Sequence, residues 1–201
     1  EQTVLGDFDG AKFESAGRIT TFFRRDDGWF VNTDGPDGQL ADYAIKYTFG
    51  ITPLQQYLIE FPDGRLQALS ISWDSRPAEQ GGQRWFHLYA GQNVTHADPL
   101  HWTKPSQNWN FMCAECHSTD LRRNYDVVTD RFTTQWSDID VACEACHGPA
   151  SNHLAWAKAP ESRRKADGTL GLVARFEPRA TWQMDATTGN AQRASPRRTQ
   201  T

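Results

Sequence analysis

Two pairs of cysteines, each followed at once by histidine, constrain this chain more than any other feature: Cys113-Ala114-Glu115-Cys116-His117 and Cys143-Glu144-Ala145-Cys146-His147. These are all four cysteines of the chain, which has six histidines among 201 residues. Two such histidine placements by chance come to about one in a thousand, and Cys-x-x-Cys-His is the attachment signature of c-type haem. A structural zinc site with four thiolates is the competing reading of two Cys-x-x-Cys pairs. A disulfide framework suits small secreted domains, and a chain this long with four clustered cysteines is a poor candidate for one.

The spacing has a physical reason. Two thioether bonds must form at two vinyl groups on one edge of a flat porphyrin, and thiols three residues apart on a helical turn lie on one face. A histidine directly after the second cysteine is carried beneath the ring, where its imidazole reaches the iron. His117 and His147 are therefore the expected proximal ligands, and Cys113, Cys116, Cys143 and Cys146 the covalent anchors. Such a histidine donates its other ring N–H to a carbonyl or carboxylate, a group the sequence does not reveal. Two motifs imply at least two haems c with their irons.

Candidates for the sixth position on each iron are His87, His96, His101 and His153, with Met112 and Met184 as thioether options. Met112 abuts Cys113 at the rim of its own ring, away from the axis, and Met184 reads as a core methionine. His153 follows Cys146-His147-Gly148-Pro149 on a new short helix begun near Ser151. It cannot easily fold back across its own ring, so it is expected on the iron of a neighbouring haem. His101 lies just before the first motif's helix. His101 and His153 are the stronger distal candidates, His87 and His96 the weaker.

Net charge is −4, which argues against a nucleic-acid binder, where a basic footprint is expected. Residues 161–201 sum to +4 and the first 160 to −8, so the end of the chain reads as a basic, irregular tail. Mean hydropathy is −0.70, and no run of 18 apolar residues exists to form a transmembrane helix. Aromatics are nonetheless numerous, with eight Trp, eleven Phe and five Tyr.

Punctuation by turns organises the rest. Arg18–Arg24 and Trp29–Val31 flank Asp26-Asp27-Gly28, and Asp34-Gly35-Pro36-Asp37-Gly38 leads into Tyr43–Phe49. Gln55–Phe61 and Arg65–Trp73 flank Pro62-Asp63-Gly64, a strong hairpin signal. This predicts an antiparallel meander of about five strands over 17–73 and a loop over 74–83. Ser106–Ser118 and Ser137–His147 read as short helices, each with a serine able to cap it, and Asn124–Trp136 as a small hairpin. Gly171–Phe176 is a candidate strand. The expected fold class is α+β: a β-rich scaffold over 1–100, a dihaem segment over 101–160 and the tail over 161–201. With few aliphatic residues in its second part, the chain is expected to use the porphyrins as core there, packed by Trp109, Trp136, Trp156, Phe111 and Phe132.

Asp98-Pro99-Leu100-His101-Trp102, Asn108-Trp109-Asn110-Phe111-Met112 running into the first motif, and the second motif with Gly148-Pro149 resemble large bacterial multihaem c-type cytochromes that carry tetratricopeptide repeats. The runs Tyr57–Arg65 and Gly82–Tyr89 resemble the same family. The resemblance implies covalent haem c, bis-histidine iron and an exported location. It also implies further haem motifs and repeats outside this stretch, so the chain is expected to be part of a longer cytochrome.

Three functions compete at this stage. An electron carrier needs both axial positions filled, and two histidines set a lower potential than a His/Met pair. A multihaem reductase of a small nitrogen or sulfur oxyanion needs one open iron, which four spare histidines for two irons do not demand. A zinc-stabilised binding module is the third. The haem reading carries an expectation of a periplasmic or extracellular location. It also implies redox proteins or further haem domains as partners, and is compatible with a homo-oligomer.

Overall fold

The computed structural model describes residues 3–164, 167–175, 181–184 and 191–194. The chain divides into two compact units, 1–145 and 146–201. The first is built on an antiparallel sheet of eight strands: β1 (Asp9–Ser15), β2 (Arg18–Arg25), β3 (Gly28–Asp34), β4 (Leu40–Phe49), β5 (Leu54–Glu60), β6 (Leu66–Ala68), β7 (Ile71–Asp74) and β8 (Arg84–His87). Strands β1 to β5 pair in chain order. Strands β6 and β7 then line the same side of β5 in succession, joined across a break by the Leu69 N–H to the Tyr57 carbonyl (2.9 Å). Strand β8 pairs with β7, and the indole N–H of Trp85 reaches back to the Asp7 carbonyl just before β1 (3.2 Å).

Period-two alternation explains the sheet. Thr20 and Phe22 of β2 and Val31 and Thr33 of β3 are buried while Thr21, Phe23, Phe30 and Asn32 between and beside them are not, the pattern of strands with one buried face. Inside, Phe22 stacks on Trp85 with 3.5 Å between ring centroids, and Phe8 meets both edge-on. Val31, Tyr57, Ile59, Leu69, Ile71, Trp73 and Trp102 complete this cluster. At the end of β7 the buried Asp74 carboxylate takes two hydrogen bonds from the Arg76 guanidinium (3.0 and 2.6 Å). These bonds hold its pKa down at about 2.

Over the span of the expected five-strand meander the sheet has six strands, because the stretch Arg65–Trp73 is broken into β6 and β7, and β1 and β8 lie beyond it. Gly64, in the turn between β5 and β6, has φ +80°, and a Cβ there would lie 2.1 Å from the Phe132 carbonyl oxygen. Only glycine fits such a left-handed, crowded position. The residue is thus fixed by what docks on the turn: the hairpin β9 (Tyr125–Asp126) and β10 (Arg131–Phe132), held by the Phe132 N–H on the Asp63 carbonyl (2.9 Å).

On the same turn sits α1 (Trp109–Met112), followed by α2 (Ala114–His117). Asn110, 1% exposed, accepts from the Leu66 N–H (2.7 Å) and donates to the Gly64 carbonyl (3.2 Å) and Thr134 Oγ1 (2.9 Å). The cap of α1 is Asn108, whose side chain accepts from the Phe111 N–H (2.9 Å), in place of the expected Ser106. Residues 137–142 are not helical, contrary to expectation. Thr119 pairs with Asp138, and Arg122 with Gln135, as isolated bridges, so this stretch spends its backbone groups on a partner segment. The helix there is only α3 (Cys143–His147).

In the second unit α4 (Ser151–Lys158) forms where a short helix was expected, and β11 (Trp182–Met184) pairs with β12 (Ala191–Arg193). Residues 171–175 are irregular rather than a strand, and Phe176 lies outside the described residues. Among the described residues no helix is long and apolar enough to cross a membrane.

Asn110→Ala strands the Leu66 N–H and its other partners. At about 1–3 kcal/mol per stranded buried group, urea unfolding is expected to show a loss of roughly 2–3 kcal/mol. Asp74 has a lowered pKa in the fold, so its contribution is complete above the unfolded value of about 4 and is lost as pH falls toward about 2. Asp74→Asn is expected to flatten the fall in urea midpoint over that window, with most of its cost appearing above it.

Candidate functional site

The first motif occupies a single turn whose two faces differ sharply. Trp109 and Ala114 are fully buried against Leu58, Leu66 and Ala68 of the sheet, and Trp109 meets Trp136 edge-on at 5.5 Å. Phe111, Met112, Glu115, Cys116 and His117 are exposed, and Cys113 lies half-buried between the faces. The Cys113 carbonyl accepts from both the Cys116 and His117 N–H groups (3.1 Å each). The two thiols and the imidazole are thereby fixed on one turn by short backbone bonds. Ser118 closes the turn, its hydroxyl donating to the Ala114 carbonyl (2.6 Å). Burial, with a smaller contribution from neighbouring Cys116, pushes the Cys113 thiol pKa up, so this is no activated thiolate.

His117 faces a cleft of about 400 Å³ with Leu5, Phe49, Ile51, Ile139 and Val141 in its walls. Its ring meets that of Phe49 at 5.6 Å. Ile51 and Val141 are more than half exposed, an apolar lining open to water beside two thiols and an imidazole. The donor set and its surroundings fit an apolar macrocycle tethered at Cys113 and Cys116. All four cysteines are free thiols.

The approach to the second motif is tied to the exit of the first. Thr119 Oγ1 donates to the Asp140 carbonyl (2.8 Å) and accepts from the Ala142 N–H (2.9 Å). Helix α3 then carries Cys143, Cys146 and His147 with no residue buried. His147 Nδ1 donates to the Ala174 carbonyl (2.9 Å). That bond needs the proton on Nδ1, and Nε2 is then the nitrogen an iron would take.

The distal candidates fall in three places. His153, on α4, has the same arrangement as His147, with Nδ1 on the Leu170 carbonyl (2.8 Å) and its ring parallel to Trp156 at 5.9 Å. His101 is buried inside the sheet: Nε2 bonds Asp34 (3.3 Å) and Nδ1 bonds Thr103 Oγ1 (2.8 Å). Arg18 also pairs with Asp34 (3.3 Å). Burial would raise the Asp34 carboxyl, but the hydrogen bond and charge of His101, with Arg18, bring it below its ordinary pKa. His87 lines the same small cavity as His101, its Nδ1 accepting from the Tyr89 N–H (3.1 Å). Burial and the Arg18 charge push the His87 pKa down. His96 packs elsewhere, on Gly38, where a Cβ would come within 2.5 Å of its Nδ1. His147 and His153 are thus brought to one backbone segment, and His87 and His101 to one cavity, while His117 faces a separate cleft.

Of the expected aromatic packers, Trp109 and Trp136 lie on each other, Phe132 on Tyr125 at 4.7 Å, and exposed Phe111 beneath the Arg123 guanidinium. Met112 and Met184 are exposed. The sequence reading missed Phe49, Thr119 and the carbonyls of Leu170 and Ala174. Gly171 reads there only as the start of a candidate strand, and carbonyls carry no residue-specific signal.

The family of cytochrome c554 and c-prime matches residues 86–148. That span is about a third of the chain and contains both motifs with His87, His96 and His101. The match supports a c-type cytochrome, with haem c as cofactor and electron transfer as its general activity. No curated protein and no solved structure matches the chain.

Ala114 has no room to grow, so Ala114→Leu is expected to cost about 1–3 kcal/mol by overpacking the turn against the sheet. Glu115→Ala, which removes only a surface pair with Arg123, should change the thermal midpoint little.

Proposed function

We propose that the protein carries single electrons through at least two covalently bound haems c with bis-histidine iron, as part of a larger multihaem cytochrome. The observation that carries this reading is the pair of exposed Cys-x-x-Cys-His turns, one of which already has its histidine oriented by a carbonyl (His147 Nδ1 to Ala174, 2.9 Å). When bound, haem c supplies one-electron chemistry at its iron.

The residues divide that task. Cys113 and Cys116, and Cys143 and Cys146, hold the two tethers. His117 and His147 take the proximal positions. His153 is the distal candidate favoured by geometry, because its Nδ1–H is engaged and Nε2 is its acceptor. His101 would reach an iron only by exchanging its Asp34 bond, and His87 and His96 are the remaining candidates. With both axial positions filled by imidazole there is no open site for substrate, which favours a carrier over a reductase. Attachment of haem c takes place outside the cytoplasmic membrane, so the proposed location is periplasmic or extracellular. The proposed partners are redox proteins or neighbouring haem domains.

Expression in a host competent for cytochrome c maturation tests this directly. The expected product has a Soret band, sharp low-spin bands on reduction and a mass excess of two haems. The double change Cys113→Ser with Cys116→Ser is expected to lower that excess by one haem. Colourless protein at the bare polypeptide mass would overturn the proposal.

A further inference from the structure

His147 and His153 lie six residues apart on different helices, yet both direct Nδ1 at one short stretch of backbone. The Leu170 carbonyl takes His153 (2.8 Å) and the Ala174 carbonyl takes His147 (2.9 Å). The Ala174 N–H returns a bond to the His147 carbonyl (3.1 Å), so this stretch grips the second motif by main chain as well as by the ring.

Its own shape is strongly specified. Thr169 Oγ1 donates to Asp167 (2.7 Å) and accepts from the Gly171 N–H (3.2 Å), while the Thr169 carbonyl accepts from the Leu172 N–H (3.0 Å). Leu170 adopts φ +56°, an uncommon conformation for a bulky residue, which persists where the surroundings demand it. Gly171 has φ +73°, and a Cβ there would lie 2.6 Å from the Asn152 carbonyl oxygen and 3.0 Å from His153 Cα. Gly148, directly after His147, has φ +72°, and a Cβ there would lie 3.0 Å from Val173 Cβ. Two glycines thus permit close approach at the two ends of the strap.

We propose that residues 169–174 form a strap that orients two iron-ligating histidines at once, His147 on its own haem and His153 on a neighbouring one. This rests on the ligand assignment above. A ring N–H donated to a carbonyl fixes the tautomer and raises the basicity of the ligating nitrogen, which favours the ferric iron. Because one backbone segment serves both rings, the two irons share this influence, and displacing the strap shifts both together. The strap residues touch no iron and are positioning residues.

The test uses the haem-loaded protein with Gly171→Ala, which keeps every cysteine and histidine. Thr169→Ala is a milder disturbance of the same turn, and Leu170→Gly keeps the carbonyl while suiting its backbone angle. The expected result for Gly171→Ala is an unchanged haem count by mass, movement of two low-spin ferric signals in electron paramagnetic resonance, and a rise in both midpoint potentials. Thr169→Ala should show the same two shifts at smaller size, and Leu170→Gly should leave both signals in place. Movement of one signal only, or of none, with both haems retained overturns the strap. His153→Ala separates the two layers of the argument. If it changes no signal, the ligand assignment falls and the strap's double role falls with it. If it changes one signal while Gly171→Ala changes none, the assignment stands and the strap alone is wrong.

Discussion

The placement of the first motif depends on one buried side chain. Asn110 enters the turn between β5 and β6 and satisfies the Leu66 N–H and Gly64 carbonyl there, groups that the open edge of β6 and the turn before it leave without sheet partners. Buried main-chain polar groups must be paired, and here the pairing is used to seat a helix. Trp109 and Ala114 then pack on the sheet beside it. Three consecutive positions of α1 therefore do different work: Trp109 is packed inward, Asn110 is bonded into the turn, and Phe111 faces water. The exposed Cys116 inherits its outward direction from this, while Cys113 stays half-buried between the two faces.

The two motifs reach an oriented imidazole by unlike means. His117 sits on a turn whose buried face is anchored in the sheet, with the Phe49 ring beside it. His147 belongs to a turn with no buried residue, and its orientation comes from the Ala174 carbonyl. A packed turn resists tilting through many small contacts. A carbonyl bond resists rotation of the ring itself and sets which nitrogen carries the proton.

Much of this was legible in the residues and some was not. Pro62-Asp63-Gly64 announced its turn because proline and glycine restrict backbone angles locally, and the hairpin around Asn124–Trp136 followed from alternation. Strand β8 was hidden because Arg84-Trp85-Phe86-His87 shows no clean period of two, its burial being set by the Phe22 and Trp73 rings across the sheet. The helix expected from Ser137 onward failed over 137–142 for a similar reason. Backbone groups of Ser137 and Asp138 pair with Thr119, a choice made by segments distant in sequence. The motif cysteines and histidines were legible because their chemistry lies in side chains at fixed spacing. The carbonyls of Leu170 and Ala174 were not, since every residue has one and only the fold selects which is used.

The apolar surface around His117 follows from the same division. Single exposed hydrophobic residues on a folded protein need no explanation. Ile51 and Val141, however, share one cleft with His117, and Phe111 and Met112 lie exposed on the turn that carries Cys113. In a chain of mean hydropathy −0.70, this grouping beside two thiols is the arrangement a tethered apolar macrocycle would cover. At about 25 cal/mol per Å² of apolar area removed from water, covering these side chains would stabilise the first unit itself. Cofactor retention and folding stability are then linked through the same residues, while the polar second turn depends on its hydrogen bonds instead.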